Sequence, residues 1–161
     1  MNRLTTEALI RKHEGVEYVA YDDSEGIRTI GIGFNLQKEG AQRRIGALGL
    51  DYDAVFSGAC TLTDQHCSAL FSVDLDDAIE QASGIVSNFS LQPDDVQSVI
   101  VDMVYNLGAA GFQKFTKAIA AFEDKDYCTA AAELQNSLWA RQVPSRAKED
   151  ISMVKAFCNA A

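Results

Sequence analysis

The chain has 161 residues, 47% of them hydrophobic and 23% charged, which is enough apolar material to bury one core of ordinary domain size. Its net charge of −9 argues against nucleic acid or an anionic membrane as partner, because both reward a basic patch. There is no apolar run of about 18 residues that could cross a membrane. The opening MNRLTTEALIRKHEG puts charges where a signal peptide keeps its apolar stretch, so a cytoplasmic product without a signal peptide, held there until something releases it, is expected.

From Thr5 the pattern is helical. Thr5 or Thr6 can cap the N-terminus, Leu9 and Ile10 share an apolar face, and Gly15 stands where a left-handed residue stops a helix, leaving Glu14 at the C-terminal end. EYVAY and IRTIGIGF then read as strands joined by the turn-rich DDSEG, the one clear β signal of the chain. A short helix over 41–48, broken by Gly46 and Gly49, precedes a connection through DYDAVFSGACTL.

Thr63 caps a long helix in which Cys67, Leu70, Phe71, Ala78, Ile79 and Ala82 recur at helical spacing. At about twenty residues it is long enough to bridge two lobes. Pro93 opens a helix through VQSVIVDMVYNLG, apolar nearly all round and so the centre of a second lobe. Further helices are expected at 115–123, 126–138 and 144–157, with Trp139 between the last two. Cys60, Cys67, Cys128 and Cys158 show neither a C-x-x-C pair nor a zinc spacing, and only His13 and His66 offer imidazole. Free thiols and no metal site are expected, with His66 on the surface.

The plan is therefore α+β. A small N-terminal lobe with a hairpin or small antiparallel sheet (13–62) is joined by a connecting helix (63–84) to a mainly helical lobe (85–161 with 1–12), all in one domain.

Glu14 at a helix C-terminus faces the negative end of the macrodipole, which disfavours its ionised form. That is how a general acid is kept protonated. A second carboxylate, Asp22 or Asp23, lies in the hairpin turn, and two such groups are what glycoside hydrolysis needs. Period-two alternation sets Ile27, Thr29, Gly31 and Gly33 on one face of the second strand and Arg28, Ile30, Ile32 and Phe34 on the other. The first face is a floor of small residues where a polymer could approach the backbone while Thr29 holds a water.

The series Glu14, Asp23, Thr29 followed by IGIG resembles the catalytic signature of the phage lysozymes (endolysins) of glycoside hydrolase family 24. The likeness continues through LTDQHCSALFSVDLDDAI, DMVYNLGAAGFQKFTKAI and SLWARQVPSRAKEDI. It implies a lysozyme-like fold and a muramidase that cleaves the β-1,4 bond between N-acetylmuramic acid and N-acetylglucosamine with inversion, acting as a monomer without cofactor in phage-induced host lysis. Peptidoglycan is the implied partner. Glu14 is then the general acid, Asp23 the second carboxylate and Thr29 the hydroxyl that positions water. Arg146 pairs with Glu14 across the lobes, and Asn35, Tyr105 and Asn106 meet saccharide. A non-catalytic wall-binding module on the same fold and a secreted antibacterial muramidase are the rival readings. The sequence departs from the family at Phe34, where a histidine that pairs with the acid at Asp74 is absent, and at Ala118 and Glu133, which replace neutral polar groove residues.

Overall fold

Helix α1 (Arg3–Glu14) begins one turn earlier than the threonines suggest. Asn2 is its cap: its Oδ1 accepts the Thr5 N–H at 3.2 Å. Thr6 is instead buried, its hydroxyl 2.8 Å from that of Ser98. Gly15, at φ 71°, ends the helix, and its N–H reaches the Arg11 carbonyl at 2.9 Å. A computed structural model describes residues 1–159. The chain divides into two units, Arg11–Asp74 on the one hand and Met1–Ile10 with everything from Leu75 on the other. The division falls within α1 and within the long helix α4 (Asp64–Ile85, 22 residues).

The first unit carries an antiparallel sheet in the order β1 (Glu17–Asp22), β2 (Arg28–Gly31) and β3 (Phe34–Asn35). Here the structure corrects the reading of IRTIGIGF as one strand. Thr29 faces Asn35 and Ile30 faces Phe34, so Gly31, Ile32 and Gly33 form a tight three-residue loop between two strands. Gly31 and Gly33 both sit at φ 65°, in the region open to glycine at no steric cost. The packed face is as expected, with Ile30, Ile32 and Phe34 at most 2% exposed.

The stretch through DYDAVFSGACTL is also corrected. It contains α3 (Tyr52–Ser57), whose Asp51 cap accepts the Ala54 N–H and whose Gly58 closes the C-terminus at φ 85°. With α2 (Ala41–Ala47) it lays Ala41, Ile45 and Val55 into a core shared with Ala20, Ile30, Phe34, Leu36, Leu62, Cys67 and Leu70. Thr63 caps α4 as expected, and His66 is its partner. The His66 N–H donates to Thr63 Oγ1 and the Thr63 N–H donates to His66 Nδ1, each at 3.2 Å, a capping box with imidazole in the usual place of glutamate.

The second unit is helical. After a 3-10 turn at Phe89–Leu91, α5 (Asp94–Gln113) buries Val96, Val99, Ile100, Val101, Met103 and Val104. Its helical geometry breaks at Gly108, φ 73° and ψ 165°, where the sequence places the end of the central helix. Then come α6 (Thr116–Glu123), α7 (Tyr127–Gln135), α8 (Leu138–Gln142) and α9 (Pro144–Lys155). Trp139 lies inside α8 rather than between helices; Ser137 caps that turn by accepting the Ala140 N–H at 3.2 Å.

The expectation of four free thiols fails. Cys128 and Cys158 form a disulfide between α7 and the segment after α9, while Cys60 and Cys67 are free. The two partners are 30 residues apart in sequence and have no local motif in common; helix packing brings them together, with Tyr127 and Phe157 in edge contact at 5.8 Å beside them. No helix among the described residues is long and apolar enough to cross a membrane.

Candidate active site

The unit spanning Arg11–Asp74 holds Glu14, Asp23, Thr29 and Asn35 together. Glu14 ends α1, and its carboxylate lies over the backbone of Gly33: a Cβ built there would fall 2.7 Å from Glu14 Oε2 and 3.0 Å from its Cδ. The glycines of the IGIG loop are thus explained differently from the sequence reading. They turn the chain, and Gly33 makes room for the protein's own carboxylate rather than for a ligand. At Gly31 the corresponding Cβ would meet Cys67 Sγ at an ordinary 3.7 Å.

Asp23 follows β1 and organises the hairpin loop. Its Oδ1 accepts the Glu25 N–H at 2.8 Å and the Ile27 N–H at 2.9 Å, an Asx-type closure, while its own N–H donates to the Ile27 carbonyl at 2.9 Å. One carboxylate oxygen is thereby fixed by the loop, while Oδ2 takes no part in these bonds. Asp22, the last residue of β1, is exposed and pairs with Arg28 at 3.3 Å. The two adjacent aspartates are therefore built into different surroundings.

Thr29 sits in the middle of the sheet, 5% exposed, opposite Tyr21 on β1 and Asn35 on β3. Its hydroxyl donates to the Ile27 carbonyl at 2.9 Å. With the hydrogen committed, the oxygen presents lone pairs only, so a water bound there must donate to it. Asn35 is similarly polarised: its Oδ1 accepts the Gln37 N–H at 2.7 Å, leaving the amide NH2 for a ligand oxygen. Tyr21 is the residue that sequence reasoning missed. It is half-buried and cross-strand from Thr29; burial first, then the charges of Glu14, Glu17 and Asp23, push its phenol up.

With Phe34 where the resemblance would place a histidine, Asp74 has other partners. Lys38 Nζ donates to it at 2.8 Å and Arg44 also pairs with it. Both cations lie over the Phe34 ring, at 4.3 and 4.8 Å from its centroid. The aromatic thus serves the same local cluster through its π face.

In the helical unit, Asn106 on α5 accepts the Trp139 Nε1–H at 3.0 Å through its Oδ1, which again leaves only amide donors for a ligand. Tyr105 beside it is half-buried. Arg146, in the first turn of α9, is 7% exposed and therefore no surface charge. Its guanidinium forks onto Asp102 of α5, with Nε to Oδ2 at 2.8 Å and NH2 to Oδ1 at 2.7 Å. Asp150 is fully buried in the same cluster, where burial, then the neighbouring Asp102 charge, push its carboxyl up to about 10 against the opposing pull of Arg146.

The family model described as "Phage lysozyme" matches residues 11–149. Two proteins of Dictyostelium discoideum are similar over nearly their whole length. "Probable T4-type lysozyme 2" is 28% identical over 153 residues, covering 90% of each chain; "Probable T4-type lysozyme 1" is 27% identical over 156 residues, covering 91% of each. The "Pre-baseplate central spike protein Gp5" of Enterobacteria phage T4 is 24% identical over 152 residues, 86% of this chain but 25% of that protein.

Proposed function

Because the chain belongs to the phage lysozyme family, we propose that it is a peptidoglycan hydrolase that cleaves the β-1,4 bond between N-acetylmuramic acid and N-acetylglucosamine with inversion. Glu14 gives its proton to the glycosidic oxygen as the bond from C1 breaks. A water held on the opposite face donates one hydrogen to Thr29 Oγ1 and passes the other to Asp23 Oδ2, and its oxygen bonds to C1. Asn35, Tyr105 and Asn106 are the substrate contacts in this reading, Arg146 is a supporting cation whose charge Asp102 shares, and no cofactor takes part.

The observation that carries the reading is the setting of Glu14. A glycine at positive φ leaves its carboxylate space that any side chain would fill, and an ordinary surface glutamate needs no such allowance. The committed Thr29 hydrogen adds a direction to the water. The disulfide suits an enzyme that works outside a reducing cytoplasm, in keeping with release to the wall during phage-induced lysis.

The experiment is digestion of purified walls followed by mass spectrometry of the products, with Glu14→Gln alongside the wild type. The amide is nearly isosteric but cannot donate a proton to the leaving oxygen, so a loss of about 10²–10⁴-fold is expected. A variant that keeps more than a tenth of the rate removes Glu14 from the role. Wild-type products ending in anything but a reducing N-acetylmuramic acid overturn the bond assignment, and an initially retained anomer by NMR overturns inversion.

A further inference from the structure

Within the helical unit, α7 and the end of α9 border a pocket of about 540 Å3, inside the range of about 300–1,000 Å3 that small ligands occupy. The Cys128–Cys158 disulfide forms part of its wall, and both cysteines are half-buried. Gln135 and Asn159 bring exposed amides, Lys155 an exposed ammonium and Ala131 an apolar floor. Lys155 is the one charged residue among the described residues of the lining, on a chain whose net charge is −9. Neither its side chain nor that of Gln135 has an ion pair or hydrogen bond among the described residues.

A disulfide opens when a thiolate reaches one of its sulfurs, so the exposed bonds are the labile ones. The pocket supplies the access. Lys155 supplies the attraction for an anion, and it stands one turn before Cys158, whose N–H donates to the Lys155 carbonyl at 2.9 Å. On the other side, Asn159 Oδ1 lies 3.6 Å from Cys128 Sγ. In the closed bond that sulfur has no hydrogen to give. Once reduced, the Cys128 S–H finds its acceptor already in place.

We propose that this pocket binds a small anionic peptide thiol, its carboxylates drawn by Lys155 and its peptide groups met by Gln135, and that the bound thiolate opens the Cys128–Cys158 bond. The thiolate attacks Cys158 Sγ. A new S–S bond forms there as the old one breaks, and the electron pair stays on Cys128 Sγ, which takes up a proton. A second thiol of the same class attacks the sulfur of the first, so that the two leave joined as a disulfide and Cys158 departs as a thiolate and is protonated. Two thiols are thereby oxidised, the protein bond gains two electrons, and the protons that the thiols lose equal those that the cysteines gain. The tie between α7 and the segment after α9 is thus one that an anionic peptide thiol can undo. The inference goes beyond the hydrolase reading and does not depend on it.

The test reduces the whole oxidised chain at low salt with three thiols: anionic glutathione, neutral 2-mercaptoethanol and cationic cysteamine. Acid quenching, alkylation and mass spectrometry follow Cys128 and Cys158 separately from the free Cys60 and Cys67. Rates are compared per thiolate and corrected for thiol basicity. Net charge alone, at −9, ranks cysteamine first and glutathione last. The pocket reverses that order, with glutathione ahead of 2-mercaptoethanol by about threefold and the first mixed disulfide on Cys158. Lys155→Glu should restore the net-charge order, and Lys155→Arg should keep that of the wild type. A wild type that follows net charge, an unchanged order in Lys155→Glu, or a first mixed disulfide on Cys128 overturns the proposal.

The side chain of Lys155 is exposed and has no internal partner to lose, so both variants should fold, which melting of their oxidised forms checks. A second arm needs no variant. S-methylglutathione keeps the charges and peptide groups of the thiol but cannot exchange, and its addition to the 15N-labelled oxidised chain should shift the NMR signals of Gln135, Lys155 and Asn159. Absence of shifts at these three residues overturns the pocket as a binding site.

Discussion

Replacing Gly33 by alanine separates what the backbone costs from what the acid needs. Alanine at φ 65° pays the left-handed penalty of about 1–2 kcal/mol. At about 2–4 °C per kcal/mol for a protein of this size, the melting temperature should fall by about 2–8 °C. The new methyl would also lie 2.7 Å from Glu14 Oε2, inside contact distance, so the carboxylate must move away. It sits at the end of a flexible side chain, so its displacement adds little to the stability cost, but a misplacement of about 1 Å in a reacting group costs about a hundredfold in rate. Gly31→Ala is the control. It has the same φ of 65° and its Cβ meets Cys67 Sγ at a tolerable 3.7 Å, so it carries the backbone strain without touching Glu14. The two variants should melt within a few degrees of each other, while release of reducing ends from purified walls should collapse only in Gly33→Ala. A Gly33→Ala enzyme that keeps more than a third of the Gly31→Ala rate would show that the position of Glu14 over Gly33 is not the catalytic one.

Asp23→Asn keeps an oxygen for the Glu25 and Ile27 N–H groups but cannot take a proton from water; its melting temperature should stay near wild type while wall hydrolysis falls at least tenfold, whereas Asp22→Ala, at an exposed pair, should change the rate less than threefold. A larger loss at Asp22 than at Asp23 would place the second carboxylate one residue earlier. The Cys128–Cys158 bond spans 30 residues, for which chain entropy gives about 3.7 kcal/mol; the double serine variant should melt about 7–15 °C lower, and thiol titration of the denatured, unreduced wild type should find two thiols, Cys60 and Cys67. Four thiols in fully oxidised conditions would contradict the bond. Asp150 holds its proton in the folded state up to about 10, against an ordinary 3.8, so its contribution to stability is complete below the lower value and is lost as pH rises towards the upper one. Between them unfolding releases a proton, a slope of about 1.4 kcal/mol per pH unit. Asp150→Asn should remove that slope in denaturant unfolding followed from pH 5 to 9, and an unchanged slope would mean that Asp150 is ionised in the native protein.

What the sequence revealed and what it hid divide along the range of the interactions involved. The C-terminal end of α1, the caps of α4 and α5, and the break at Gly108 depend on residues within a turn of each other, and Thr63, Pro93 and Gly15 announce them directly. Helix α3 had the same quality of signal, an Asp51 cap and a Gly58 stop around Tyr52, Val55 and Phe56, but its shortness let the turn residues dominate the reading. Gly31 and Gly33 misled for a related reason: two residues of alternation on either side of a three-residue loop look like one longer strand, and only the pairing of Ile30 with Phe34 shows the reversal. The disulfide and the Asp102–Arg146 pair join residues 30 and 44 positions apart, and no local pattern encodes them.

The three proposed catalytic residues were legible as types and spacings, but their working state was not. Spacing offers a threonine; the structure shows that its hydrogen is already given to Ile27, which turns a generic hydroxyl into an acceptor with one orientation for water. Spacing offers two aspartates; the structure commits one oxygen of Asp23 to two loop N–H groups and leaves the other. Asn35 and Asn106 repeat the device, each with its oxygen bound to a protein N–H and its amide donors left over. In Thr29, Asn35 and Asn106 an ambivalent polar group has been made single-valued by one internal hydrogen bond. In the proposed reading each such group orders its ligand in advance, because it meets water or sugar with a donor or acceptor role that is already fixed.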